Sequence, residues 1–404
     1  MVDGDPAVES QLEGFSLWFP LPYRVGFIVT LAVWGWALNL HYLYAVNIDV
    51  PSLIRYPGRS SPHHLPHHHS TYRLALALSA LFATSITFFW LWTWGSPDRV
   101  IGNDWMPFAY LVLLISFFVV PLRSFPSGGR TRFWATLRRI CIGGLAEAQD
   151  GKFGDVLLAD VLTSYAKVGG DIFVALCMFF QAGGSSLKRP DRSCGGTVIV
   201  PLIMAIPSMI RLRQCLIEYL RVRRAPYKES TGWGGQNLAN ALKYSTAFPI
   251  IITSALQRNA EDETSKRAIN RLWLLAVLVH SLYSFYWDVT KDWDLTLFSK
   301  DRSLGSFPWG LRPRLVFRQA NLYYAVIVLD LFLRCTWAMK LSVHLDKFTD
   351  FEGGIFFIEL LEVFRRWVWI FFRVETEWIR NTSTGLGVDD ILLGDIQGKD
   401  DDDD

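Results

Sequence analysis

The sequence is short of charged residues and of cysteine. Of its 404 residues, 19% are charged and five are cysteines, with no CxxC pair and no spacing typical of a metal site. We interpret the cysteines as packing residues of apolar segments, and they indicate no redox compartment. They are Cys141, Cys177, Cys194, Cys215 and Cys335. Neither a cofactor nor a metal ion is expected.

The N-terminus lacks the basic segment that opens a cleavable secretion signal. Its first 22 residues include four acidic residues and neither Lys nor Arg, whereas a signal peptide begins with positive charge. The opposite end, "GKDDDDD", is an acidic tail that cannot pack, so we expect it to be disordered.

Apolar and aromatic side chains are abundant instead. Hydrophobic residues make up 51% of the chain and aromatic residues 15%, which indicates a polytopic membrane protein. A membrane-spanning helix needs about 20 predominantly apolar residues. We therefore predict an all-α membrane bundle with nine spans, at 25–46, 72–95, 107–122, 156–181, 196–217, 237–257, 271–287, 318–341 and 353–373.

Loop charges predict the orientation of these spans. Loop 121–139 carries five Arg and no acid, and loop 218–236 is also basic, so both should face the cytosol. Loop 96–106 is balanced in charge, as expected for the other side. The N-terminus would then be lumenal and the C-terminus cytosolic. The predicted regions are a non-cytosolic segment, N-terminal spans, a second membrane region and an acidic tail, at 1–24, 25–139, 140–381 and 382–404.

Two local motifs allow more than one interpretation. The stretch "HHLPHHHS" holds five His between residues 63 and 69. A weak metal site is one interpretation, but no carboxylate or Cys completes a coordination sphere, so a solvated, unstructured loop is favoured. Asn381 begins the glycosylation sequon "NTS", which the predicted topology places in the cytosol, where it would stay unmodified.

Charged side chains inside the predicted spans are the most informative residues. A central Arg or Lys costs about 2.5–3.5 kcal/mol on insertion, so such residues tend to face a bundle interior or an aqueous cavity on a substrate path. The set comprises Asp160, Arg211, Lys243, Asp288, Asp292, Asp330, Arg334, Glu362, Arg365 and Arg366.

One interpretation of these charges is mutual neutralisation. Asp330 could pair with Arg334, and Glu362 with Arg366, both at i, i+4 on a helix. Arg365 would then have no partner.

A second interpretation treats the charges as an anion path. Five cations on four spans face the acids Asp160, Asp288, Asp330 and Glu362, which predicts a local positive excess. The Arg guanidinium donates two parallel hydrogen bonds to phosphate, and anion pores are lined by Arg and Lys. These residues therefore favour a pathway for phosphate or another small anion.

Five motifs between about residues 210 and 380 resemble, in order, the signatures of the EXS family. They are "RLRQCLIEYL", "NLANALKYSTAF", "FYWDVTKDWDL", "YYAVIVLDLFLRCTWAM" and "LEVFRRWVWIFFRVETEW". This family includes eukaryotic phosphate exporters and a short yeast Golgi protein needed to retain ER lumenal proteins. Larger exporters carry an N-terminal SPX sensor domain. About 24 residues precede the first predicted span here, so that domain is not expected and the short Golgi member is the better match.

The resemblance implies a set of substrate-binding residues. These are Asp160, Thr163, Arg211, Lys243, Tyr244, Arg334, Arg365 and Arg366. It also implies a gating role for Trp337. Asp160 would orient the cations and accept a phosphate proton, while Asp288, Asp292 and Glu362 would balance the basic side chains. Thr163 stands where the exporters have Asn, and Ile370 replaces the Asn of the family's "WNFF". Both differences bear on selectivity.

The resemblance implies a transporter of the Golgi membrane, with the plasma membrane as the alternative location, that returns phosphate released by lumenal glycosylation to the cytosol. The alternative function is a non-transporting sorting protein that retains Golgi glycosyltransferases through cytosolic contacts with them or their adaptor. An intramembrane enzyme is disfavoured, because no paired nucleophile and base is visible. The expected partners are inorganic phosphate, the lipid bilayer and a second copy in a homodimer, but no nucleic acid.

Overall fold

A computed structural model describes residues 14–55, 67–94, 96–120, 127–147, 150–181, 190–224, 234–300, 307–341 and 351–397. Every regular element in these ranges is helical, so the predicted all-α class is confirmed. The longer helices are α1 (Leu21–Ala45), α2 (His67–Thr93), α3 (Trp105–Val119), α4 (Ser127–Arg138), α5 (Lys152–Ser164), α6 (Ala166–Phe180), α7 (Ile199–Arg224), α8 (Gly235–Ser245), α9 (Ala247–Asn259), α10 (Glu263–Trp287), α11 (Ala320–Arg334) and α12 (Glu352–Gln397). The short ones are Gly14–Trp18, Val50–Leu53, Pro97–Gly102, the π-helical turns Arg139–Gly143 and Asp288–Asp292, and the 3-10 turn Thr336–Leu341.

Four helices of the described chain are long and apolar enough to cross a bilayer. They are α1, α2, α7 and α10 with the π-turn that continues it, and the bent pair α5–α6 counts as a fifth if it forms one span. The predicted count of nine spans is therefore not confirmed. Predicted span 107–122 corresponds to the 15-residue α3. Span 237–257 is divided into α8 and α9, span 318–341 into α11 and a 3-10 turn, and 353–373 lies in the charged helix α12.

Apolar packing forms two main clusters. One joins α1, α2, α3, α6, α7 and α12 around the buried Tyr23, Phe89 and Tyr110. The other joins α1, α5, α10, α11 and α12, and includes Trp293 and Trp369. Large aromatic side chains dominate the apolar area buried in such cores. Because α1 and α12 contribute to both clusters, these two helices hold the two parts of the bundle together.

The interpretation of all five cysteines as packing residues is wrong for two of them, which form a disulfide. Cys177, in the last turn of α6, forms a disulfide with Cys194, 17 residues later. The sequence did not reveal this pair because it lacks the short spacing or Cys-rich context from which a disulfide is recognised. Cys141, Cys215 and Cys335 carry free thiols.

The histidine motif also differs from its prediction. Helix α2 begins at His67, so an unstructured loop was wrong for residues 67–69. His68 is buried and its ring stacks on His41, with the ring centroids 4.6 Å apart. Stacking between α1 and α2 therefore orders this part of the motif. Residues 63 and 64 and the last part of the predicted tail, 398–404, lie outside the described residues. Residues 382–397, also predicted to be disordered, instead continue α12, which contains Asn381 as well.

Candidate functional site

Four interruptions of helices lie around the charged residues. Helix α5 ends at Ser164, where the chain bends by 59° into α6. Helices α8 and α9 are separated at Thr246, α10 ends in the π-turn Asp288–Asp292, and α11 ends at Arg334 before a 3-10 turn. Such irregular backbone is tolerated at membrane depth where protein or a cavity surrounds it, and discontinuous helices form the substrate sites of many transporters.

Ten charged side chains lie between these interruptions, and we call them the charge cluster. Its members are Asp160, Arg211, Lys243, Asp288, Asp292, Asp330, Arg334, Glu362, Arg365 and Arg366. Most are buried, and hydrogen bonds and ion pairs join all ten, with Thr163 and Ser164 among the links. The predicted charged residues therefore form one network rather than separate salt bridges.

Asp160 anchors one edge of the charge cluster from α5. It accepts hydrogen bonds from Arg211 Nε, at 2.6 Å, and from the Tyr244 hydroxyl. Arg211 also donates to Gln214 Oε1, at 2.5 Å, and its Cζ lies 4.7 Å from the centroid of the Tyr244 ring. Three predicted site residues thus meet in the interior, where charge-assisted hydrogen bonds replace water.

Lys243 lies between the two carboxylates of the π-turn. Its Nζ is 3.3 Å from Asp288 Oδ1 and 3.5 Å from Asp292 Oδ2. The π-turn brings both carboxylates to the same side, where Lys243 lies. Asp288 is fully buried, so its charge is compensated by protein groups alone.

Two further arginines share Asp288 with this lysine. Arg334 pairs with Asp288 and, at 3.0 Å, with Asp330. Arg365 Nη1 lies 3.2 Å from Asp330 Oδ1 and 3.6 Å from Asp288 Oδ2. The pair Asp330–Arg334 expected from the sequence is therefore present, but each member also has a partner on another element.

The predicted pairing of Glu362 with Arg366 is wrong. Glu362 instead binds Arg365, at 2.6 Å. Arg366 donates to Ser164 Oγ at 2.9 Å and to Thr163 Oγ1 at 3.1 Å, and in the described part of the chain no carboxylate oxygen lies within 4.0 Å of it. Neighbouring residues of a helix point about 100° apart. Arg366 therefore faces the end of α5, whose hydroxyl groups take the place of a carboxylate.

The predicted excess of positive charge among these residues is also wrong. Asp292 joins the acids because it pairs with Lys243, so the charge cluster holds five cations and five carboxylates. An uncompensated buried charge would cost several kcal/mol. The crevice that Asp330 and Arg365 line with Trp293, among others, is too narrow to admit a water molecule. The structure therefore has a charge-balanced network where the sequence predicted an excess of basic residues.

Trp337 is the predicted site residue that has no polar contact with this network. It lies in the 3-10 turn after α11, and its indole N–H is buried without a hydrogen-bond partner among the described residues.

Ser164 and Gln214 were missed by the sequence analysis. Their spacing was a usable signal, because Ser164 lies four residues after Asp160 and Gln214 three after Arg211, on the same helical faces.

Comparison with known proteins finds similarity along nearly the whole chain. The EXS family model matches residues 19–379. The chain is 31% identical over 379 residues to Protein ERD1 homolog 1 of Schizosaccharomyces pombe, covering 92% of this chain and 94% of that protein. It is 26% identical over 392 residues to Solute carrier family 53 member 1 of Homo sapiens, covering 94% of this chain but 53% of that protein.

Proposed function

Because the chain belongs to the EXS family, we propose that it is a membrane transporter that carries inorganic phosphate from the Golgi lumen to the cytosol. Glycosyl transfer from nucleotide sugars leaves nucleoside diphosphates, whose cleavage releases phosphate in that lumen. Returning the phosphate would sustain glycosylation and, through it, the retention of glycosyltransferases and ER proteins.

The observation that carries this proposal is the environment of Arg366. Arg366 is 7% exposed and its guanidinium is held by two hydroxyl groups. The other four cations of the charge cluster bind carboxylates. Neutral hydroxyl groups bind a guanidinium more weakly than an anion does. A phosphate oxygen would therefore displace them at low cost.

The remaining charges explain how binding could stay reversible. Phosphate at Arg366 would draw Arg365 away from Glu362 and Lys243 from the π-turn, so each new ion pair replaces an existing one. The net gain is then small, and a transported ion must leave its site as readily as it enters. Asp160, next to Arg211 and Tyr244, would hold the cations in position and accept a phosphate proton.

The test is phosphate flux in proteoliposomes containing the purified protein. Losing a hydrogen-bonded charge costs enough to change affinity about tenfold or more, so we expect Arg366→Ala and Arg334→Ala to reduce flux at subsaturating phosphate by at least that factor. Flux equal in both variants and wild type, or absent in wild type, would contradict the proposal.

Arg24→Ala is the matched control. Arg24 is also a buried arginine, 4% exposed on its side chain, but it pairs with Glu352 outside the charge cluster. Arg192 pairs with the same carboxylate at 2.9 Å, so Glu352 keeps one cationic partner in the variant. We expect Arg24→Ala to retain flux within a factor of about two once protein amounts are matched, because surviving partners limit the cost.

The sorting function predicted as the alternative has its own readout. If flux is absent while cells carrying Arg366→Ala still retain glycosyltransferases in the Golgi, the retention function would stand without transport. The predicted adaptor contacts and the homodimer remain predictions.

A further inference from the structure

We infer that Arg312 is a positioning residue that fixes the acidic π-turn Asp288–Asp292 against α12 and thereby sets the affinity of the anion site. Arg312 lies outside the charge cluster, in the segment that leads into α11. The inference rests on the proposed function, but its structural part can be tested without phosphate.

Arg312 binds three groups on other elements and, through its Nε, the backbone carbonyl of Arg314 at 3.1 Å. Its Nη1 donates to the backbone carbonyl of Trp293 at 2.7 Å and to Thr376 Oγ1 at 2.6 Å, and its Nη2 lies 2.5 Å from Glu375 Oε2. The side chains of Arg312 and Glu375 are 7% and 0% exposed. Only a guanidinium presents several fixed donors to a carbonyl, a hydroxyl and a carboxylate together.

The partners of Arg312 belong to the two elements that supply opposite charges to the site. Trp293 directly follows the π-turn, which carries the carboxylates of Asp288 and Asp292. Glu375 and Thr376 lie on α12, the helix that carries Arg365 and Arg366. Arg312 therefore joins the acidic element to the basic element through one side chain.

Glu375 is in turn held in place by groups from α11 and the segment before it. Its Oε1 accepts the backbone N–H of Val316 at 2.7 Å and the hydroxyl of Tyr323. We call the contacts of Arg312 with Trp293, Glu375 and Thr376 the clamp. Beside it, the rings of Trp293 and Phe372 pack with their centroids 5.6 Å apart. The carboxylate therefore cannot follow the π-turn if Arg312 is lost.

The conformation of the π-turn depends on the residues that directly follow it. The N–H groups of Trp293 and Leu295 donate to the carbonyls of Asp288 and Val289, at 2.9 and 3.0 Å. Between these two residues, Asp294 has φ 54°, in the left-handed region that non-glycine residues adopt less readily. π-helical turns are rare and concentrate at functional sites. By holding the Trp293 carbonyl, Arg312 stabilises the turn that directs two carboxylates at Lys243.

Arg312→Lys is the decisive variant. Lysine keeps the charge that Glu375 requires, but its single ammonium cannot reproduce the fixed fork of donors. We expect the half-saturating phosphate concentration for flux to change by about threefold to tenfold, as for one or two lost hydrogen bonds, with a much smaller change in maximal flux. Thr376→Val, which removes one acceptor and leaves the ion pair, should give a smaller shift of the same sign.

A second readout requires no phosphate. Hydrogen–deuterium exchange of peptides that cover residues 288–297 should be faster in Arg312→Lys than in wild type, because the amides of Trp293 and Leu295 close the turn. Peptides from α1 and α2 should exchange at the wild-type rate.

Arg24→Lys is a closely matched control for both measurements. Arg24 likewise binds a carbonyl, a hydroxyl and a carboxylate, namely Phe19 O at 2.7 Å, Ser16 Oγ at 2.7 Å and Glu352 Oε2 at 2.8 Å. None of these groups belongs to the π-turn. Arg24→Lys should leave both the phosphate half-saturation and the exchange of residues 288–297 unchanged.

The outcomes separate the two proposals. Unchanged exchange in Arg312→Lys would overturn the clamp, whatever the transport data show. Faster exchange with an unchanged phosphate half-saturation would overturn the positioning of the anion site. Wild-type protein that neither binds nor transports phosphate would overturn the proposed function, while the exchange data would still decide the structural part.

Discussion

At the scale of single residues, Ser164 shows how an uncharged group controls a buried charge. Its hydroxyl accepts from Arg366 Nε at 2.9 Å and donates to Glu362 Oε1 at 2.7 Å. Ser164 thus links Arg366, the arginine of the charge cluster without a close carboxylate, to Glu362, the acid with which the sequence analysis had paired it. Ser164 and a bound phosphate would compete for the same guanidinium.

This competition predicts a distinctive effect of Ser164→Ala. The empty protein should lose about 1–3 kcal/mol of unfolding free energy, since a buried donor loses its acceptor. Phosphate should then raise the melting temperature more than in wild type, because the anion restores a partner to Arg366. Thermal unfolding with and without phosphate measures both effects, and Ser208→Ala on α7 is the buried-serine control. A smaller phosphate-induced shift than in wild type would mean that the Ser164 hydroxyl binds the anion.

The same residues show what sequence could and could not predict at this scale. Asp330 and Arg334 were paired correctly, because both face the interior from one turn of α11. Glu362 could reach either Arg365 or Arg366 by helical spacing. The choice depended on which neighbouring helix faced each arginine, and helical spacing does not contain that information.

At the scale of helices, α1 and α3 approach each other closely at Gly26. A Cβ placed on Gly26 would lie 2.1 Å from Tyr110 Oη and 2.3 Å from Tyr110 Cε1. Tyr110 is 1% exposed, so its ring has no room to move away. Glycine at this position is therefore required by packing rather than by backbone conformation.

Gly26→Ala should accordingly lower the free energy of unfolding by about 1–3 kcal/mol, as overpacking of a core does. Thermal unfolding in detergent would measure the change. Tyr110→Leu should recover part of the loss in the Gly26→Ala background, whereas Tyr110→Phe should not, since Cε1 stays in place. Gly129→Ala is the control, because no atom lies within 4 Å of a Cβ built there. Equal stability of Gly26→Ala and wild type would contradict this packing.

The interruptions of the helices were the least predictable elements. Pro249 has no N–H for the carbonyl of Ser245, four residues earlier, which explains the break between α8 and α9. Yet Pro207 lies inside α7 without ending it, and neither Gly nor Pro marks the bend at Tyr165. That bend is a tertiary effect, in which the end of α5 meets Arg366, and local sequence does not encode it.

At the scale of the whole molecule, the all-α bundle and the joining of distant charges followed from composition and motif order, whereas the number of crossings did not. The bent pair α5–α6 is the element on which the topology depends. If it crosses the membrane once, α7 runs in the direction predicted from the basic loops. If it enters and leaves on the same side, every later helix is reversed. The disulfide Cys177–Cys194 fits the first arrangement, in which the segment after α6 is lumenal, since disulfides persist in oxidising compartments.

Labelling of two engineered cysteines would distinguish these arrangements. Arg99 lies between α2 and α3, and Arg223 near the end of α7; both are exposed. Three crossings separate them if α5–α6 is one span, and two if it is re-entrant. With the three free cysteines replaced by alanine, we expect a membrane-impermeant maleimide to label Arg223→Cys in sealed vesicles whose cytosolic face is outside. Arg99→Cys should react only after permeabilisation. If neither reacts in sealed vesicles and both react after permeabilisation, α5–α6 returns to its own side and the predicted topology is wrong from α7 onward. If the pattern is inverted, the orientation predicted from the loop charges is wrong.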